Sequence, residues 1–197
     1  MNNIPIELVK ELRNRTGIGI MACKEALLEA GADMDKAVEL LRKKGLKVAE
    51  KKAARPTTEG KVGSYIHTGA KIGVLLELDT ETDFAANSPE FEELLKDLCM
   101  QVAACEPLSI SREDLPAEAV EKEKETFKAL LEGKPERVQE QITQGKLEDF
   151  YAQVCLLDQP FIKDDSITVS DLIKSRIAKL GENIVVKRFV RFQVGGE

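Results

Sequence analysis

The sequence predicts an α+β protein: a small three-helix module at the N-terminus, followed by a mostly antiparallel sheet packed with helices. Three short runs of helical periodicity, punctuated by glycine, fill the first 45 residues. Two alternating apolar runs flank the turn TGAK, and a further apolar strand closes the chain. The helices between these strands form no repeating strand–helix–strand unit, which favours an antiparallel sheet.

In the first helix Asn3 and Pro5 suit the start, Leu8, Val9 and Leu12 make one apolar stripe, and the glycines of RTGIG break it. A second is expected from about Ile20, with Cys23, Ala26, Leu27 and Ala30 at helical spacing, ending at Gly31. The third opens on Asp33 as N-cap, buries Ala37, Val38, Leu40 and Leu41, and stops after a run of positive charge with Gly45 at C′. So small a core leaves a large surface for its interior, which suits docking better than catalysis. From Leu46 to Gly60 the periodicity dissolves into a basic linker, so residues 1–55 are expected to form a docking module with its linker and residues 56–197 an α+β core.

After the linker, Val62, Ser64 and Ile66 alternate in one strand and Ile72, Val74, Leu76 and Leu78 in the next, a hairpin with one apolar face. Ser88 as N-cap and Pro89 at the first helical position open a helix with Phe91, Leu94, Leu95, Leu98 and Val102 as its stripe. Residues 107–158 read as charge-rich helices broken at GKP, with the Glu/Lys run at 118–128 a solvated face. Ser170 then caps a helix burying Leu172, Ile173, Ile177 and Leu180, Gly181 ends it, and Ile184 to Val194 form the last strand.

Composition narrows the functional classes. No stretch approaches the roughly 20 apolar residues that span a bilayer, and the N-terminus MNNIPIELVKEL lacks a charged segment followed by an apolar one, so a cytoplasmic protein without membrane contact is expected. Cys23, Cys99, Cys105 and Cys155 show no paired CxxC spacing and read as buried free thiols rather than zinc ligands or disulfides. The single histidine, His67, lies in a strand-like run without evident triad partners. Neither metal, cofactor nor catalytic residue is expected. The net charge of −6 is uneven: residues 1–55 hold 12 Lys and Arg against 8 Asp and Glu, and residues 56–197 hold 17 against 27. So acidic a body argues against direct nucleic-acid binding. The exception is RKKGLKVAEKKAAR, residues 42–55, which keeps an RNA- or ribosome-associated adaptor open as the alternative function.

The stretch LDTETDFAANSPEF, residues 78–91, sets Phe84 after a ladder of carboxylates, Glu77, Asp79, Glu81 and Asp83. Read as a calcium loop, it offers oxygens at positions 1, 3 and 5 and Glu90 at 12, but position 6 needs glycine and holds Phe84. Read as a catalytic pair, Glu77 and Asp79 fall opposite Val74, Leu76 and Leu78, where water keeps both ionised. No phosphate loop or nucleophile motif accompanies them. Phe84 itself has two readings. On composition alone it is a core residue; its place past the strand, beside Asp83 and the small Ala85 and Ala86, suits an aromatic probe for another protein's pocket, worth about 1.5–3 kcal/mol once buried.

The segment ELRNRTGIGIMACKEALLEAGADMDKAVELLRKKG closely resembles the N-terminal module of bacterial elongation factor Ts. TDFAA resembles that family's Thr-Asp-Phe signature, and QPFIKDDSITVSDLI and LGENIVVKRFVRF resemble its C-terminal signatures. The resemblance implies a ubiquitin-associated-like fold for the three helices. It also implies a guanine-nucleotide exchange factor, not an enzyme, that docks on the translational GTPase elongation factor Tu in its GDP-bound and nucleotide-free states. Partner contacts are implied for Arg13, Ile20, Met21 and Lys24, and for Thr82, Asp83 and Phe84, whose ring would wedge between partner helices near the magnesium and phosphate site. Where this chain has Ile20-Met21, the family usually carries two methionines. The second sheet-bearing subdomain and the coiled-coil insertion of longer members are missing here, and short members pair two copies. A homodimer is therefore expected, with residues 56–197 as its dimerisation domain, the edge of the last strand as a candidate seam and Phe189 as a contact there.

Overall fold

The computed structural model describes residues 4–131 and 133–196. Asn3, read above as part of the first helix start, lies outside them. Helices α1 (Ile6–Thr16), α2 (Ile20–Glu29) and α3 (Met34–Lys52) form the three-helix module. Val9, Leu12, Cys23, Ala26, Leu27 and Leu41 are buried members of its one core cluster. Asp33 caps α3 by accepting from Lys36 N–H at 3.0 Å. Gly31, at φ +64°, closes α2, and the N–H groups of Ala32 and Gly31 return to the carbonyls of Leu27 and Leu28 at 2.8 and 3.3 Å.

The third helix does not stop at Gly45. Ala37, Leu41, Gly45 and Ala49 recur every four residues as one buried stripe. A Cβ added at Gly45 would stand 3.1 Å from that of Ala178. This glycine permits a close approach rather than ending the helix, and the segment read as linker is helical through Lys52.

Strands β1 (Glu59–Ile66) and β2 (Ile72–Thr80) form the hairpin. Helix α4 (Asp83–Ala86) is a single turn, and α5 (Pro89–Cys105) begins as its sequence requires, Ser88 Oγ accepting from Phe91 N–H at 3.3 Å. The described residues continue through α6 (Ala117–Thr126), α7 (Lys128–Leu131), α8 (Glu136–Val154), β3 (Pro160–Phe161), β4 (Asp164–Thr168), α9 (Val169–Leu180) and β5 (Ile184–Gln193). The three-stranded sheet has the order β1-β2-β5, which leaves β5 on an edge.

In β2 the expected face is the inner one, Val74, Leu76 and Leu78 being buried. In β1 the expected face is reversed, because Val62 and Ile66 are exposed. A Cβ at Gly63 would stand 2.6 Å from Leu95 Cγ and 3.1 Å from Cys99 Sγ. With α5 that close, position 63 can offer it nothing larger than hydrogen, and Val62 and Ile66 lie on the other side of the strand. Strand β5 changes face part-way: Ile184 and Val186 are buried, Lys187 and Arg188 are both exposed, and Phe189 and Arg191 are then the more covered residues.

Two further departures concern α9. Its cap is Thr168, whose Oγ1 accepts from Asp171 N–H at 3.1 Å, rather than Ser170. Leu172, Ile173 and Ile177 are buried as expected, but Leu180 is only half-buried before Gly181 ends the helix at φ +77°. The antiparallel hairpin of β3 and β4 has no strong pattern in the sequence. It is held by buried Gln101, which donates to Gln159 Oε1 and to the Pro160 carbonyl, each at 3.1 Å, and accepts from Ile162 N–H at 2.9 Å.

The chain divides into two compact units, one of Met1–Lys61, Leu78–Leu94 and Ile173–Val185, the other of Val62–Glu77, Leu95–Leu172 and Val186–Glu197. Among the described residues no helix is long and apolar enough to cross a membrane.

Two glycines with opposite surroundings test this packing. A Cβ at Gly60 would stand 2.4 Å from the Leu78 carbonyl oxygen and 2.8 Å from Asp79 Cα, both backbone, whereas one at Gly145 inside α8 meets open space. Gly60→Ala is expected to destabilise the protein by about 1–3 kcal/mol, and Gly145→Ala to stabilise it by about 0.5–1 kcal/mol. Urea unfolding curves check both.

Candidate protein-docking site

Beyond β2, and before α5 begins, the chain makes the α4 turn. Thr82 caps it, its Oγ1 accepting from Ala85 N–H at 3.3 Å. Asn87 Nδ2 donates to the Asp83 carbonyl at 2.9 Å and Ser88 Oγ to that of Ala85 at 2.7 Å, closing the far side. Ala85 and Ala86 are buried, while Phe84 just before them is 85% exposed. The small residues anchor the turn and the aromatic one stands in water, so Phe84 is not a core residue of this chain.

Beneath the turn lies Gly181-Glu182-Asn183, directly after α9. Glu182 accepts from Thr82 twice, from the N–H at 3.0 Å and from Oγ1 at 2.8 Å, and lies 3.3 Å from Thr80 Oγ1. Asn183 is buried; its N–H donates to Glu81 Oε1 at 2.7 Å and its carbonyl accepts from Thr80 Oγ1 at 2.9 Å. Its side-chain amide donates to the carbonyls of Ala53 and Arg55 at 3.3 and 2.9 Å. Arg55 also meets Glu81 at 3.4 Å. Reasoning from sequence overlooked Glu182 and Asn183 as site residues, although a polar pair between a helix-ending glycine and an apolar strand was the available signal.

The other residues expected to contact a partner lie on the three-helix module. Arg13 is exposed near the end of α1, and Ile20, Met21 and Lys24 are exposed on the first turns of α2. Ile20 is 42% and Met21 65% exposed, an apolar pair in water at a helix start. The approach to them is tightly built. Gly17, at φ +69°, donates to the Arg13 carbonyl at 2.7 Å. Thr16 Oγ1 donates to the Leu12 carbonyl at 2.8 Å and accepts from Ile18 N–H at 3.3 Å. A Cβ at Gly17 would fall 2.7 Å from Lys179 Cε, and Lys179 Nζ pairs with Glu90 at 3.0 Å. Thr82, Asp83 and Phe84 therefore share one turn, the four module residues share the α1–α2 region, and all seven belong to one compact unit.

Two rungs of the carboxylate ladder, Glu77 and Glu81, are engaged within the protein. Glu77 pairs with Arg188 at 2.5 Å. The Asn183 N–H, followed by Arg55, holds the Glu81 carboxyl below the usual glutamate range. Among the described residues no group of three or more His, Cys, Asp or Glu could hold a metal ion. In the basic run at 42–55, Lys43 pairs with Glu39 at 2.7 Å, Lys44 with Glu29 at 2.9 Å, and Lys52 donates to the Gly181 carbonyl, while Lys47 and Lys51 are exposed.

Comparison with known proteins gives this arrangement a family. The family model described as Elongation factor TS matches residues 7–196. The chain belongs to the elongation factor Ts family. It is 55% identical over 194 residues to elongation factor Ts of Thermoanaerobacter sp. (strain X514), covering 98% of this chain and 95% of that one. It is 55% identical over 192 residues to that of Thermotoga petrophila, covering 98% and 96%. The counterpart from Carboxydothermus hydrogenoformans is also 55% identical, over 98% of this chain and 89% of the relative. The family is that of the nucleotide exchange factor for elongation factor Tu, so this chain is an exchange factor and not an enzyme.

Because its folded pKa lies below the ordinary 4.5, Glu81 contributes stability that is fully present above about pH 4.5 and is lost as pH falls through the lowered value. Glu81→Gln is thus expected to melt below the parent at pH 7, with the gap closing toward pH 3. Thermal unfolding at the two pH values checks this.

Proposed function

We propose that this chain accelerates GDP release from elongation factor Tu in the cytoplasm by pressing Phe84 into the partner near its magnesium and phosphate site. The single observation that supports this best is an exposed aromatic ring on a turn whose Thr82, Asn87 and Ser88 side chains are bonded within the protein. Arg13, Ile20, Met21 and Lys24 supply the first hold, with residues 1–55 acting as the docking module. Asp83 and Phe84 then shift the elements that grip the nucleotide. Nucleotide and exchange factor weaken each other's binding by the same coupling free energy.

Magnitudes divide the work. Burial of one phenylalanine contributes about 1.5–3 kcal/mol, and each tenfold in release rate corresponds to about 1.4 kcal/mol. Phe84 thus accounts for one to two orders of magnitude, and the rest of the acceleration comes from the other contacts.

The exchange factor further acts as a homodimer, with residues 56–197 as the dimerisation domain and a second copy covering the outer face of the sheet. Val62 and Phe192 are 67% and 66% exposed, and Leu75 and Val190 are also in water. Beside them a depression of about 320 Å³ is lined by Leu75, Glu77, Arg188 and Phe189. Large apolar side chains exposed on all three strands of the sheet suit a face that a second copy covers.

Stopped-flow release of a fluorescent GDP analogue from elongation factor Tu tests the first proposal. Phe84→Ala should lower the maximum rate roughly 10- to 100-fold while changing the half-saturating concentration by less than about threefold; equal losses in both count against a wedge. For the dimer, Leu75→Glu with Phe192→Glu should halve the mass measured by light scattering. A parent protein that is already monomeric at micromolar concentration refutes it.

A further inference from the structure

We propose that the Glu182-Asn183 turn is a positioning element for exchange. Glu182 sets the outward pose of Phe84, and Asn183 ties that pose to the end of α3. This rests on the docking role proposed for Phe84 above.

The pose of an exposed ring is set by the turn that carries it. In α4 that turn is governed by Thr82, which is both its N-cap and the residue that Glu182 grips at two atoms, N–H at 3.0 Å and Oγ1 at 2.8 Å. Two bonds from one carboxylate to one residue fix direction as well as distance. Thr82 Oγ1 in turn accepts from Ala85 N–H, so rotation of the cap would cost both bonds together.

Asn183 extends the same hold to the helical module. At 2% exposure it has no water to fall back on. Its backbone bonds to Glu81 and Thr80 at the end of β2, and its side-chain amide bonds to Ala53 and Arg55 just past α3. The same stretch of chain meets that module again where Ala178 lies under Gly45 and Lys179 under Gly17. One short segment thereby touches the mount of Phe84, helix α3 and Gly17, three residues before Ile20.

Such a segment matters to exchange because a ring pressed into a partner does work only if its mount resists. A mount that yields must be ordered on docking, which weakens the effect without removing a contact. Misplacement by about 1 Å can cost as much as a hundredfold in a rate. Glu182 is therefore expected to act on release through Thr82, not by touching the partner.

The test uses the full chain with elongation factor Tu loaded with a fluorescent GDP analogue, comparing the parent, Glu182→Ala, Glu182→Gln and Phe84→Ala. Glu182→Ala should lower the maximum release rate about tenfold, with the half-saturating concentration within threefold of the parent. Glu182→Gln, which keeps an oxygen for only one of the two Thr82 bonds, should fall between Glu182→Ala and the parent, about threefold below the parent. Amide hydrogen exchange at Thr82 should quicken in Glu182→Ala while that of Leu12 in the module core stays unchanged. An unchanged maximum rate in Glu182→Ala, or a loss confined to the half-saturating concentration, overturns the positioning role. Should Glu182→Ala unfold below the assay temperature, Glu182→Gln decides alone, a loss of about threefold supporting the role and none refuting it. If Phe84→Ala loses the maximum rate while the Glu182 variants keep it, only the positioning role fails. If Phe84→Ala keeps it, the wedge itself is wrong.

Discussion

Asn183 is where three stretches of chain are made to agree. Its N–H, carbonyl and side-chain amide face Glu81, Thr80 and the backbone past α3, and each polar group finds a partner. The net gain per bond is only about 0.5–1.5 kcal/mol. What makes the arrangement strict is the alternative, since a polar group left unpaired in so buried a place costs about 1–3 kcal/mol. The penalty for misplacement defines the geometry more sharply than the gain for correct placement. An exposed functional side chain needs this kind of support, having no packing of its own to hold it.

The division of labour within α4 follows. Ala85 and Ala86 contribute burial, Thr82 and Asn87 contribute closure, and Phe84 contributes nothing to the folded state. Its apolar surface is left in water at a free-energy cost that only a partner can relieve. Ile20 and Met21 show the same pattern at the start of α2, where Cys23, Ala26 and Leu27 face the core and these two do not. Both are departures from ordinary patterning, large apolar residues where local chemistry calls for polar ones, and such departures concentrate where a surface is made to be covered.

Periodicity was a sound guide wherever one element alone decided the outcome. Asp33, Ser88 and Gly31 act as the caps their side chains or lack of one require, and the stripe of α5 is buried as spaced. It misled where a neighbour decided. Gly45 looks like a helix stop until Ala178 is seen against it, and Val62 looks like an inward residue until α5 is seen against Gly63. Phe84 could be placed past the strand by sequence alone, but its exposure depends on how Ala85 and Ala86 are buried. Glu182 and Asn183 left only a local signal, a polar pair between a glycine and an apolar strand, because their partners in β2 and at the cap of α4 lie about a hundred residues away in the chain.

The close contact between β1 and α5 also has a chemical side. Cys99 sits under Gly63 with no room for solvent, and burial pushes its thiol up to about 11. Desolvation raises Cys105 and Cys155 as well. A thiol reacts as its thiolate, and with a pKa near 11 about one Cys99 in ten thousand is ionised at pH 7. Buried and shifted in this way, the Cys99 thiol is quiet toward alkylating reagents while the fold is intact. It becomes reactive when the helix lifts from the strand, so the rate of Cys99 alkylation is a built-in clock for that opening.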